Sequence, residues 1–216
     1  MPDSRPFDAQ CRRCQRLATF LGEVRHQHPD YVAAPVPSFG DPKARLLVVG
    51  LAPGMHGANR TGRPFTGDHA GLLLDAALHA AGFSNQPEGL SPDDGLVLTD
   101  CRITNAVRCL PPANKPLPLE IRACNDYLRH ELQASPAPSV VLALGQVAHQ
   151  AVLMALDLPR KTYPFGHGAG YRLPGGPWLL SSYHCSRYNT QTRRLTPEMF
   201  AAVLARVRAC LDAGVP

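Results

Sequence analysis

Two loops of this sequence, and one residue between them, carry side chains able to do chemistry. The first loop, Gly50 to Asp68, reads GLAPGMHGANRTGRPFTGD and packs His56, Asn59, Arg60, Arg63, Phe65 and Asp68 into one glycine-rich run. Its G-x-x-x-x-G spacing from Gly57 to Gly62 is that of a nucleotide-binding phosphate loop, but Arg63 and Pro64 stand where that loop needs Lys and then Ser or Thr. Lysine reaches the terminal phosphates and the hydroxyl holds magnesium. Proline removes a backbone donor as well, so the triphosphate reading is poor. Asn105 follows in TNAVRCLPPANKP, and His184 opens the late loop HCSRYNTQTRR.

The seven cysteines form a further pattern. Cys11 and Cys14 make C-R-R-C, Cys109 and Cys124 bracket CLPPANKPLPLEIRAC, and Cys101, Cys185 and Cys210 stand apart. With no apolar leader in MPDSRPFDAQ and no run of membrane-span length, a disulfide framework is not expected. The chain is expected to be soluble and cytoplasmic, without membrane contact.

The elements that must position these loops alternate. Phe7 to His28 reads as a helix after the cysteine pair, Ala34 to Pro42 as a proline-rich connector, and Arg45 to Val49 as a strand buried on both faces. A helix over Gly71 to Ala81 stops at Gly82, and a strand falls within Leu96 to Val107. The pattern continues with helix Leu119 to Leu132, strand Ser139 to Leu144 and helix Gln146 to Leu156. A Gly-rich segment, Tyr163 to Pro177, precedes strand Trp178 to Tyr183, and helix Pro197 to Cys210 closes the chain. This alternation predicts a three-layer α/β/α domain with a central, short, mainly parallel sheet, one domain over residues 1–216. In such sheets ligands gather beyond the carboxyl ends of the strands, and the polar runs stand at those ends. One site assembled from several loops is expected there.

Composition agrees with a globular domain: 216 residues, 44% hydrophobic and 18% charged. The net charge of +5 rests mostly on arginine, Lys43, Lys115 and Lys161 being the lysines. A mild positive excess favours a polyanionic partner, because neutralised phosphates release counterions.

Taken together, the Gly50–Asp68 loop, TNAVRCLPPANKP and YHCSRYNTQTRRLT resemble, in order, the motifs of the uracil-DNA glycosylase superfamily. The resemblance is strongest to family 5, the type b enzymes of bacteria and archaea. It implies a monofunctional DNA-repair glycosylase that flips uracil out of DNA and hydrolyses its N-glycosidic bond, acting as a monomer. Hypoxanthine, xanthine and other deaminated bases are further expected substrates. Gly50 and Ala52 would let the backbone approach the base, Phe65 would stack on it, and Asn105 would read its Watson–Crick edge. His184 would donate to uracil O2 as negative charge develops.

Asp68 is the expected water-activating carboxylate, with His56 and Asn59 as alternatives; its position also suits a helix N-cap. Arg60, Arg63, Ser186, Arg187, Tyr188, Asn189 and Arg193 would meet DNA, with Arg187 or Tyr188 as the wedge and Arg193 and Arg194 on phosphates. Cys11, Cys14, Cys109 and Cys124 resemble the ligands of a structural [4Fe-4S] cluster that ties down the N-terminal helical segment; four thiolates also suit zinc. Two departures stand out. Leu51 is apolar where family 4 has Glu, and Cys185 replaces the proline usual after the histidine. The rivals are a family 4 enzyme and a non-catalytic nucleic-acid-binding iron–sulfur protein of the same fold.

Overall fold

The structure is a computed structural model that describes residues 6–134 and 139–213; the ends of the expected domain, 1–5 and 214–216, and residues 135–138 lie outside it. A six-stranded sheet organises these residues in the order β1-β3-β2-β4-β6-β5. The strands are β1 Phe39–Gly40, β2 Leu46–Gly50, β3 Cys101–Asn105, β4 Val140–Leu144, β5 Gly170–Arg172 and β6 Trp178–Ser182. The inner four are parallel, and the short edge strands β1 and β5 pair antiparallel. Strands β2 and β4 are buried along their whole length, as expected where helices cover both faces.

Alternate residues of the strands feed two cores. Leu46, Val48, Ile103 and Leu142 pack beneath α3 (His69–Ala80) and α7 (Pro197–Asp212), while Leu47, Val49, Val141 and Ala143 pack beneath α4 (Pro118–Leu132) and α5 (Gln146–Ala155). This is the expected three-layer arrangement. From β2 the chain adds β3 on one side and then β4 on the other, so the direction of growth reverses at β2. A crevice at the carboxyl ends follows from that reversal.

Five local expectations differ in detail. The N-terminal helix α1 covers Gln15–Gln27, since Cys14 is its extended N-cap and Cys11 N–H closes a turn onto Asp8 O. The proline-rich connector contains β1, and the Gly-rich segment contains β5. The late loop includes a short helix, α6 (Arg187–Gln191), and the glycine-rich loop includes another, α2 (Ala58–Thr61). Elements this short carry too few residues to show a hydrophobic period.

Candidate active site

The glycine-rich loop leaves β2 at Gly50, which is paired with Asn105 at the end of β3. The pairing continues outward, with Ala106 N–H donating to Gly50 O and Val107 N–H to Leu51 O. A Cβ on residue 50 would lie 2.4 Å from Asn105 Oδ1 and 2.7 Å from the Phe65 ring. Glycine there is what lets the amide and the ring meet over one backbone segment. Beyond it lies a cavity of about 400 Å³ lined by Leu51, Ala52, Phe65, Asp68, Asn105 and His184 among others.

Asn105 is buried, and its Oδ1 has no hydrogen-bond partner. Leaving a buried acceptor unpaired costs about 1–3 kcal/mol, so a ligand donor that reaches it gains an interaction that the protein itself does not supply. Phe65 is buried at φ +59°, a left-handed conformation that a bulky residue rarely adopts. Its carbonyl enters α3 where a Cβ on Gly71 would come within 1.9 Å of the oxygen.

Across from Phe65, the His184 imidazole lies nearly parallel to the ring, with centroids 6.0 Å apart. Burial pushes its pKa down to about 4, so at neutral pH it is an uncharged N–H donor. Asn189 Nδ2 donates to His184 O at 2.9 Å, and Ser186 caps α6 by accepting from Asn189 N–H. Cys185, in the place of the expected proline, is fully buried in the core under α3 and α7. These contacts fix the loop without a proline ring.

Asp68 is the N-cap of α3 and also lines the cavity. Its Oδ1 accepts from Ala70 N–H, while Oδ2 lies where Cβ atoms on Gly54 or Gly57 would stand within 2.7 Å. Burial raises its pKa, against the opposing pull of the Ala70 N–H and His69.

Other expected residues stand elsewhere. His56 is exposed and shares a hydrogen bond with Tyr31 Oη, and the Arg60 Nε–H donates to His56 O. Asn59 is fully buried in α2 and is not among the cavity walls. Arg63 differs most from expectation: it is buried, with its guanidinium paired to Asp94, and so cannot reach a DNA phosphate. Arg187 lines the cavity, Tyr188 is 70% exposed, and Arg193 is exposed at φ +56°. Arg194 lies over the Tyr183 ring. The structure adds His69, bonded to Thr190 Oγ1, and Asn114, in the loop after β3, to the cavity walls. Asn114 stood in the quoted PPANKP run, but nothing in its spacing shows that the loop folds back over the site.

The four expected cysteine ligands line one small cavity with Leu17, Val107, Arg108 and Tyr127. None is in a disulfide, and Arg108 N–H donates to Cys124 Sγ at 3.2 Å. Burial raises the Cys14, Cys109 and Cys124 thiols, Cys124 to about 11. Burial acts on Cys11 in the same sense, but hydrogen bonds from Tyr127 and Arg13 outweigh it and hold that thiol below its usual range. Among the described residues, no group of three or more His, Cys, Asp or Glu is arranged to hold a metal ion.

A family model described as "Uracil DNA glycosylase superfamily" matches residues 37–208. The Type-5 uracil-DNA glycosylase of Thermus thermophilus is 52% identical over 203 residues, covering 92% of each chain. That of Pyrobaculum aerophilum is 44% identical over 208 residues, 94% of this chain and 89% of its own. The Type-4 uracil-DNA glycosylase of Archaeoglobus fulgidus is more distant, 34% identical over 139 residues, 64% of this chain and 62% of its own.

Proposed function

The chain belongs to the uracil-DNA glycosylase superfamily and is a uracil-DNA glycosylase; we propose that it holds the flipped base between Phe65 and Asn105 and expels it with the help of His184. The observation that carries this reading is the unpartnered Asn105 Oδ1 at the wall of an otherwise largely apolar cavity that also contains Phe65 and His184. Uracil N3–H is a donor that can pair with that oxygen, and a flat pyrimidine can stack on the Phe65 face. Of the proposed DNA contacts, Arg60, Arg187, Tyr188 and Arg193 are exposed, and Arg187 lines the cavity.

In the reaction the C1′–N1 bond breaks, and its electron pair goes to N1 of the departing uracil. The neutral His184 N–H bonds uracil O2 as charge accumulates there, which is the electrostatic stabilisation expected to dominate such a step. Water then adds to C1′ of the sugar cation, and Asp68 accepts the proton that the water loses. The raised pKa of Asp68 makes it a better base than an ordinary carboxylate while leaving the direction of transfer unchanged. We further propose that hypoxanthine and xanthine enter the same cavity, because the apolar Leu51 and Ala52 place no polar group against a larger base.

Although the described residues hold no group arranged for a single metal ion, we propose that Cys11, Cys14, Cys109 and Cys124, which line one small cavity, are the ligands of a wider [4Fe-4S] cluster. When bound, the cluster would cross-link three parts of the chain, and glycosidic hydrolysis asks no redox chemistry of it.

Purified protein is expected to generate alkali-labile sites at uracil in a duplex. His184→Ala should lose about a hundredfold or more in rate while keeping its affinity for the same duplex. No strand breaks at protein excess would refute excision, and an unchanged rate in the variant would refute the leaving-group role.

A further inference from the structure

We propose that the Arg63–Asp94 ion pair is the positioning device of the base pocket: it couples the segment between α3 and β3 to the glycine-rich loop and so sets how Phe65 meets uracil. The proposal rests on the uracil reading above and assigns Arg63 and Asp94 a role in it.

Residues 82–100 form a long connection whose ladder pairing is limited to the isolated bridge Ser84↔Leu98. Asp94 gathers this segment around its own carboxylate. Oδ2 accepts from Leu90 N–H at 2.7 Å and Ser91 N–H at 3.1 Å, and Oδ1 from Leu96 N–H at 3.0 Å. Arg63 closes the arrangement with a bidentate pair, Nη1 to Oδ1 at 2.9 Å and Nη2 to Oδ2 at 2.7 Å. The pairing with Arg63, aided by the three N–H donors, holds the Asp94 carboxyl well below the usual carboxylate range.

The remaining Arg63 donors face inward as well. Nε–H donates to Thr66 Oγ1 at 2.6 Å and Nη1 to Pro92 O at 3.1 Å, while the guanidinium rests on the Phe39 ring at 4.9 Å. A fork held in this way is rigid, because a planar guanidinium matched to a carboxylate has one geometry.

The segment grips the loop again beyond Phe65. Gly67 N–H donates to Gly89 O at 3.3 Å, and a Cβ on Gly89 would meet both Asp75 Oδ2 at 2.7 Å and Arg63 Nη2 at 3.2 Å. Phe65 therefore sits between two anchors, Arg63 and Gly67, each two residues away. Its left-handed backbone is the kind of strained conformation that persists only where its surroundings over-determine it. The anchors supply that constraint and leave the ring one orientation toward Asn105.

The test compares Arg63→Lys and Asp94→Asn, each alone and combined with Phe65→Ala. Three readouts are taken: inhibition of excision by free uracil, affinity for a duplex carrying an abasic site, and the thermal melting temperature. Each single variant is expected to weaken uracil inhibition roughly tenfold and raise KM with kcat nearly unchanged, since stacking acts on bound base throughout. Affinity for the abasic duplex, which presents no base to Phe65, should stay within about twofold. In the Phe65→Ala background neither substitution should weaken uracil inhibition further.

A parallel loss of abasic-duplex affinity would overturn the proposal by making Arg63 a DNA contact. Full additivity with Phe65→Ala would overturn it by removing the coupling. If Arg63→Lys does not fold, Asp94→Asn carries the same comparison, because Asn keeps one oxygen for the backbone donors. Unaffected variants of an active wild type would refute the positioning role alone. A wild type without uracil excision would remove both the premise and the proposal.

Discussion

At the scale of residues, the site is a set of side chains each serving two ends. Asp68 was legible twice over, as an N-cap and as a carboxylate at the end of a glycine-rich loop, and one side chain does both. Its Oδ1 takes the helix donor and its Oδ2 faces the glycines. Because burial raises its pKa, Asp68 is protonated at a higher pH than an exposed aspartate, and the base proposed above is lost with it. The excision rate should therefore fall as pH drops through that raised value. Asp68→Asn should lower the rate by about 10²-fold or more and abolish the acid limb; a variant that keeps the limb would assign it to another group. Arg63 is not legible as an internal ion pair for a physical reason: its partner is 31 residues away in an irregular segment, and sequence spacing carries no trace of such a pair. His56 and Asn59 were displaced by α2, a four-residue helix within the loop.

At the scale of elements, most of the fold was legible because its strands are buried on both faces and read as continuous apolar runs. The edge strands and α6 were not, being two to five residues long. The N-terminal helix was legible by its period, but its attachment was not. Arg13, just before α1, pairs with Asp126, and Arg16 within α1 pairs with Glu120, so the start of the N-terminal segment is fastened to α4 by two ion pairs beside the four cysteines. The arginine of each pair is partly exposed, so solvent screens both pairs and they do not hold the helix alone. If the thiols ligate a cluster, the purified protein should be brown and contain iron and sulfide. Oxidative removal of the iron should then strip amide-exchange protection from α1 first, with β2 and β4 still protected. Equal loss across the sheet, or a colourless zinc-loaded protein, would overturn this assignment.

At the scale of the whole molecule, the carboxyl ends of β2, β3 and β6 converge where the sheet reverses its direction of growth, and the exposed arginines of the late loop stand at the same end. Three of the chain's arginines, Arg187, Arg193 and Arg194, thus stand exposed in the loop that borders the cavity. If Arg193 neutralises one phosphate, Arg193→Ala should weaken binding to uracil and abasic duplexes alike. The slope of log affinity against log salt should become shallower by about 0.9, and an unchanged slope would remove Arg193 from the interface. Gly71 has a consequence of another kind. Its missing side chain makes room for the Phe65 carbonyl, so the glycine-rich loop and the helix behind it can change only together. A chimera meant to carry this base preference into another scaffold would have to transplant residues 50–71 as one piece, with 89–96 as its brace.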